Sequence, residues 1–150
     1  MASFDHWLEK DIAAYEGRHD DIIFQAPAMY RLLTRILDDP RLPGRMRPIV
    51  IASIAYFVLP YDVMPEETYG PYGYIDDIFL CALVAERIRQ EIGSQEILTS
   101  NWDGEGDIIS LIGSVLANEK ALIGNNREKI LQYLGYEYMD DIGLMKMDKS

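Results

Sequence analysis

The sequence predicts an all-α protein: a compact multi-helix domain around a buried antiparallel helical hairpin, about residues 45–59 and 76–92. Three observations carry that prediction. Apolar residues recur at helical spacing through most of the chain. Two runs, P-I-V-I-A-S-I-A-Y-F-V-L (48–59) and I-F-L-C-A-L-V-A (78–85), are apolar on almost every face. Proline, glycine and Asx residues fall between these segments, where helices need their stops and starts.

Taken in order, Phe4, Trp7, Leu8, Ile12 and Tyr15 share one face of a first helix ended by Gly17. Met29, Leu32, Leu33, Ile36 and Leu37 define a second, from about Ala28 to Leu37. Asp38-Asp39-Pro40 stops it, because a residue before proline is pushed out of the α region. A turn over 41–45 leads into the third helix, Arg45 to Leu59. Pro48 is tolerated in its first turn, where the missing N–H has no partner to lose. Because the run is rich in β-branched residues, a short strand over 49–54 is the competing assignment. The partner helix spans Asp76 to Ile92, and its apolar start gives way to the amphipathic E-R-I-R-Q-E-I.

Beyond Gly93 the chain is more polar. Ile108, Leu111, Ile112, Val115 and Leu116 face inward on a helix from Asp107 to Glu119, and a further helix covers Arg127 to Leu134. Asn125 and Glu128 stand at capping-box spacing ahead of the latter. Residues 1–135 are expected to form one helical domain, with 136–150 a partly ordered tail.

Composition narrows the function. The 150 residues include 25 acidic and 14 basic side chains, a net charge of -11. Nucleic-acid binding needs a basic stripe that releases counterions, and the sequence has none. An anionic membrane surface is disfavoured for the same reason, whereas a basic protein or a cation is attracted. Each apolar run is only about 8–12 residues, short of the ~20 that span a bilayer, so a buried helical pair is expected rather than membrane insertion. Cys81 is the single cysteine, which rules out an internal disulfide and suits a reducing cytoplasm. The N-terminus lacks the basic and apolar regions of a signal peptide. The expected location is cytoplasmic, with peripheral membrane attachment as the alternative.

The unusual chemistry lies between the two central helices. About 16 residues from Pro60 to Ile75 carry three prolines, two glycines and four tyrosines. Antiparallel helices bring Asp62 towards Asp76 and Asp77, with Glu66 and Glu67 between. Helix capping explains much of this: Asp76 or Asp77 accepts hydrogen bonds from orphan N–H groups and complements the helix dipole. The sharper account is an oxygen-ligand site for Mg²⁺, Mn²⁺ or Ca²⁺ built from Asp62, Glu66, Asp76 and Asp77. Capping is the simpler account, and no bound cofactor is expected. Tyr61, Tyr69, Tyr72 and Tyr74 either pack the hairpin end or form a partner-binding patch, tyrosine being favoured at interfaces.

These residues also carry a resemblance. P-R-L-P-G-R-M-R-P-I-V-I-A-S-I-A-Y-F-V-L-P-Y-D-V-M-P-E-E, followed by G-Y-I-D-D-I-F-L, is similar to the YkvA-like family, domain of unknown function 1232 (DUF1232). Tyr56, Pro60, Asp62, Pro65, Glu66, Gly73, Tyr74, Asp76 and Asp77 occupy its motif positions. Glu66 stands where Asp is usual, and Tyr61 where Ile is usual. The likeness covers a core of about 28–92. It implies a small helical protein, in some relatives membrane-associated, and brings no reaction or catalytic residues.

Other candidates are weaker. N-W-D-G-E-G-D (101–107) looks like the start of a calcium loop, but the sixth and twelfth positions are Ile108 and Ser114 instead of Gly and Glu. A turn with Asp107 capping the next helix is expected there. His6 and His19 read as surface residues, and Cys81 as a packing residue. The sequence therefore predicts a helical accessory or protein-interaction module that presents a tyrosine-rich acidic loop to a protein partner or a second copy. A carboxylate-ligated metal-dependent hydrolase and a peripheral membrane protein are the alternatives.

Overall fold

A computed structural model of the chain describes residues 4–13, 20–58, 75–124, 127, 128 and 130. Among them the fold is all-α, with no strand. The helices are α1 (Phe4–Ile12), α2 (Asp20–Ile23), α3 (Ala26–Leu37), α4 (Arg47–Val58), α5 (Ile75–Ile92), α6 (Glu96–Thr99), α7 (Ile108–Ala117) and α8 (Glu119–Ile123), with a 3₁₀ turn at Gly44–Met46 before α4. The segment 49–54 is thus helical, not a strand.

The centre of the fold is α5, which packs on α2, α3, α4, α6, α7 and α8. Every residue from Ile75 to Ala85 is buried. Neighbours on all sides explain why the part of it from Ile78 to Ala85 has no polar face. The helix ends at Gly93, whose φ of 77° suits the left-handed C-cap, and the Gly93 N–H donates to the Arg89 carbonyl at 2.9 Å.

Its partner, α4, runs antiparallel. Tyr56 near the end of α4 meets Asp76 at the start of α5, while Arg45, just before α4, pairs with Glu91 at the far end of α5. The expectation that α4 is buried all round needs correction, however. Ile49, Val50, Ser53, Tyr56 and Phe57 face inward, but Ile51 and Val58 are each 49% exposed. They stand seven residues apart, on the same side of the helix. A helix made of apolar residues is covered only where a neighbour lies against it, and among the described residues none covers this side.

The third layer is α3. It begins two residues before the expected Ala28, with Pro27 in its first turn, and buries Met29, Leu32, Leu33 and Ile36. Tyr30 meets Phe57 of α4 edge to face, with ring centroids 5.8 Å apart. At its other end the Arg47 guanidinium donates to the Leu37 carbonyl at 2.7 Å, satisfying an orphan group of the α3 terminus. In α1, Leu8 and Ile12 are buried as expected, but Trp7 is 52% exposed, since it sits about 100° round the helix from Leu8 and about 140° from Ile12.

The helix expected over Asp107–Glu119 is α7, which ends two residues early at Ala117, and α8 follows it from Glu119. Asn118 ends α7: its side-chain amide donates to the Ser114 carbonyl at 2.7 Å and competes with the backbone ladder. The expected cap is present, as Asp107 accepts from the Ser110 N–H at 2.8 Å. Residues 127, 128 and 130 are helical, whereas Asn125, the rest of the helix expected to Leu134 and the 136–150 tail lie outside the described residues.

Candidate functional site

The first turn of α5 holds two adjacent carboxylates where apolar side chains would be expected. The helix begins at Ile75, one residue earlier than its expected start, so Asp76 and Asp77 lie inside the first turn. There the unpaired N–H groups and positive dipole end favour negative charge. They are only 0% and 1% exposed, respectively. The Tyr56 hydroxyl donates to Asp76 Oδ2 at 3.0 Å, and the Asp77 N–H donates to Asp76 Oδ1 at 3.0 Å. The residues therefore tie the end of α4 to the start of α5 from within the core. Tyr56 and Asp76 are both positions of the resembled motif, and their bond gives a structural reason for the pair.

Among the described residues, two further polar groups nearby, Ser53 and Cys81, are spent on structure. The Ser53 hydroxyl donates to the Ile49 carbonyl at 2.8 Å within its own helix. Cys81 lies one turn beyond Asp77, and its thiol donates to the Met29 carbonyl with a sulfur–oxygen distance of 3.7 Å. Burial pushes that thiol well above its ordinary pKa, and the negative charge of Asp77 adds to the effect. It stays protonated at neutral pH, which removes it as a nucleophile and supports its expected packing role.

Of the candidate metal ligands, the described residues contain Asp76 and Asp77; Asp62 and Glu66 lie outside them, as do Tyr61, Tyr69, Tyr72 and Tyr74. Among the described residues no group of three His, Cys, Asp or Glu side chains is placed to hold a metal ion. None of their helices is long and apolar enough to cross a membrane.

Two long-range polar clusters escaped the sequence reading. Arg31 and Arg35, one turn apart on α3, both reach Asp103, at 3.0 and 2.9 Å, and Arg31 also meets Glu9 at 3.0 Å. Partial burial opposes ionisation of Asp103, but the two guanidiniums outweigh it and hold the carboxyl below its usual range. The segment 101–107 is thereby clamped to α3. Trp102 completes the clamp, its indole N–H donating to the Gly106 carbonyl at 3.1 Å while its ring covers Gly104. A Cβ at Gly104 would overlap that ring. Gly104→Ala is therefore expected to displace Trp102 and cost about 1–2 kcal/mol, read as a lower urea midpoint with changed tryptophan emission.

The second cluster centres on Asp39, which accepts from the Arg41 backbone and guanidinium at 2.7–3.0 Å and from the Asn101 amide at 2.9 Å. Hydrogen bonding from Arg41 is the main reason its carboxyl sits well below the usual range. A carboxyl whose pKa is lowered by folding stabilises fully above its unfolded value, near pH 4, and loses that contribution as pH falls through the folded value. Asp39→Asn is therefore expected to lower the melting temperature at pH 7, with the gap from the parent protein narrowing below about pH 4. An equal gap at pH 7 and pH 2.5 would mean that the charge of Asp39 contributes nothing.

The fold and this site define an all-α domain organised round an internally bonded helical pair. Residues 47–83, which contain that pair's contact, match the family model described as "Protein of unknown function (DUF1232)". The resemblance read from the sequence thus holds over a segment shorter than the 28–92 core. Uncharacterized protein ORF9 of Methanothermobacter thermautotrophicus is 28% identical over 130 residues, spanning 87% of this chain and 88% of that protein. No solved structure matches the chain.

Proposed function

We propose that this domain is a helical interaction module that presents its acidic, tyrosine-rich segment, about residues 60–75, to a protein partner. The observation that carries this proposal is the placement of the motif's helix-borne carboxylates. Asp76 and Asp77 are inside the core, and Asp76 is held by Tyr56. Carboxylates committed to the base of a hairpin make a firm frame for whatever the hairpin connects. The side chains of the 60–75 segment then supply recognition. Tyr61, Tyr69, Tyr72 and Tyr74 offer broad contact area with a hydroxyl at the tip, and Asp62 and Glu66 add negative charge. The net charge of -11 favours a partner with a basic face. Recognition of this kind needs no cofactor and suits a cytoplasmic protein.

The test is a quantitative pull-down with the full chain and a Tyr69→Ala/Tyr72→Ala variant. Partners held by the parent protein are expected to be lost from the variant while its helical circular dichroism is unchanged. Retention of every partner at parental levels would defeat the proposal.

A further inference from the structure

A groove of about 820 Å³ lies where α1, α2, the first half of α3, the 103–105 segment and α7 meet. That is within the range of volumes in which proteins bind small molecules. Apolar atoms of Pro27, Ala28 and Leu111 line it, and Phe24 contributes a ring that is 44% exposed. An exposed aromatic beside an apolar lining is a ready anchor for an apolar side chain.

Among the described residues its charge is unbalanced. The one cation among the described lining residues, Arg31, is already engaged with Asp103 and Glu9. Asp21 and Glu105 also line the groove, are exposed, and form no ion pair among the described residues. The wall that carries Glu105 is set in advance: Gln25 Nε2 donates to the Glu105 carbonyl at 3.1 Å, next to the Asp103–Arg31 clamp. A prepared wall lowers the entropy lost when a ligand binds.

We propose that this groove binds a short basic segment of a protein partner. An arginine or lysine of the segment meets Asp21 and Glu105, and a neighbouring apolar side chain rests on Phe24 and Leu111. Anionic ligands are repelled here. A bare cation or a polyamine satisfies the carboxylates but leaves the apolar lining unused, whereas a peptide carrying both kinds of side chain uses both. None of the lining residues named here belongs to the 60–75 segment, so variants of each test the two proposals independently.

The probe is a fluorescein-labelled hexapeptide of alternating arginine and leucine, titrated with the full chain at low salt and followed by anisotropy. Saturable binding is expected, weakened about tenfold by Asp21→Asn/Glu105→Gln and severalfold by Phe24→Ala. Asp38→Asn/Glu128→Gln removes the same charge from exposed positions outside the groove lining and is expected to leave binding within twofold. A hexapeptide of arginine and glycine is expected to bind several times more weakly. Amide NMR shifts of the parent protein on adding the Arg-Leu peptide should concentrate at 21–31, 103–106 and 111–114, a readout independent of how any variant folds. The proposal is overturned by absence of saturable binding, by equal losses in the two charge variants, by equal affinity for the two peptides, or by shifts centred elsewhere.

Discussion

Asp76→Ala is expected to destabilise the domain by about 2–4 kcal/mol, seen as a lower urea midpoint with an unchanged slope. The substitution removes a fully buried carboxylate and leaves the Tyr56 hydroxyl, which is equally buried, without the acceptor it now has. Removing a buried acceptor costs more than the bond itself contributes, because the groups that met it cannot recover the water they lost on burial. Asp76→Asn is the informative companion. It keeps a carbonyl oxygen for Tyr56 and should lose clearly less than alanine does. If the two variants were equally unstable, negative charge at the first turn of α5, and not the bond across the hairpin, would be the dominant effect.

Phe79→Ala is expected to cost still more, about 3–5 kcal/mol, the range for deleting a large ring from a packed interior. Phe79 is 0% exposed and lies on α5, the helix that touches most of the others. Ile51→Ala on α4 provides the contrast. That side chain is 49% exposed, so its loss should fall within about 1 kcal/mol of neutral. Thermal unfolding of both variants separates the two helices, which look alike in sequence. For a domain of this size the difference corresponds to a gap of roughly 10 °C.

That likeness marks the boundary of what the sequence discloses. The apolar run 78–85 correctly pointed to a central helix, because burial on every side requires apolar residues on every side. The converse failed for α4, whose run over 48–58 is as apolar but has Ile51 and Val58 at the surface. Burial depends on neighbours, and hydropathy records only the residue's own preference. Long helices were legible because several turns repeat the same face; α2 and α6, at four residues each, are too short to show a period. Asp107 was legible as a cap because capping is local chemistry. The Arg31–Asp103 clamp was not, since its partners are 72 residues apart and nothing local pairs them.

The candidate site divides in the same way. Asp76 and Asp77 were identified as helix-end carboxylates from local spacing, yet their burial was not foreseen. Tyr56 carried a usable signal: a tyrosine inside an otherwise apolar helix needs a partner for its hydroxyl. The antiparallel pairing of the two helices places that partner 20 residues on, at Asp76. The groove beneath Phe24 left no such signal, because its walls come from five separate segments.

The motif's carboxylate at Asp76 acts inside the fold, bonding one central helix to the other. A double-mutant cycle on Tyr56→Phe and Asp76→Ala tests it most directly, with unfolding free energies measured for the parent, both single variants and the double variant. A direct buried bond predicts a coupling of about 1.5–3 kcal/mol, the double variant being much less unstable than the two single losses combined. Additive losses, with a coupling below about 0.5 kcal/mol, would show that the two residues act independently and would contradict the account.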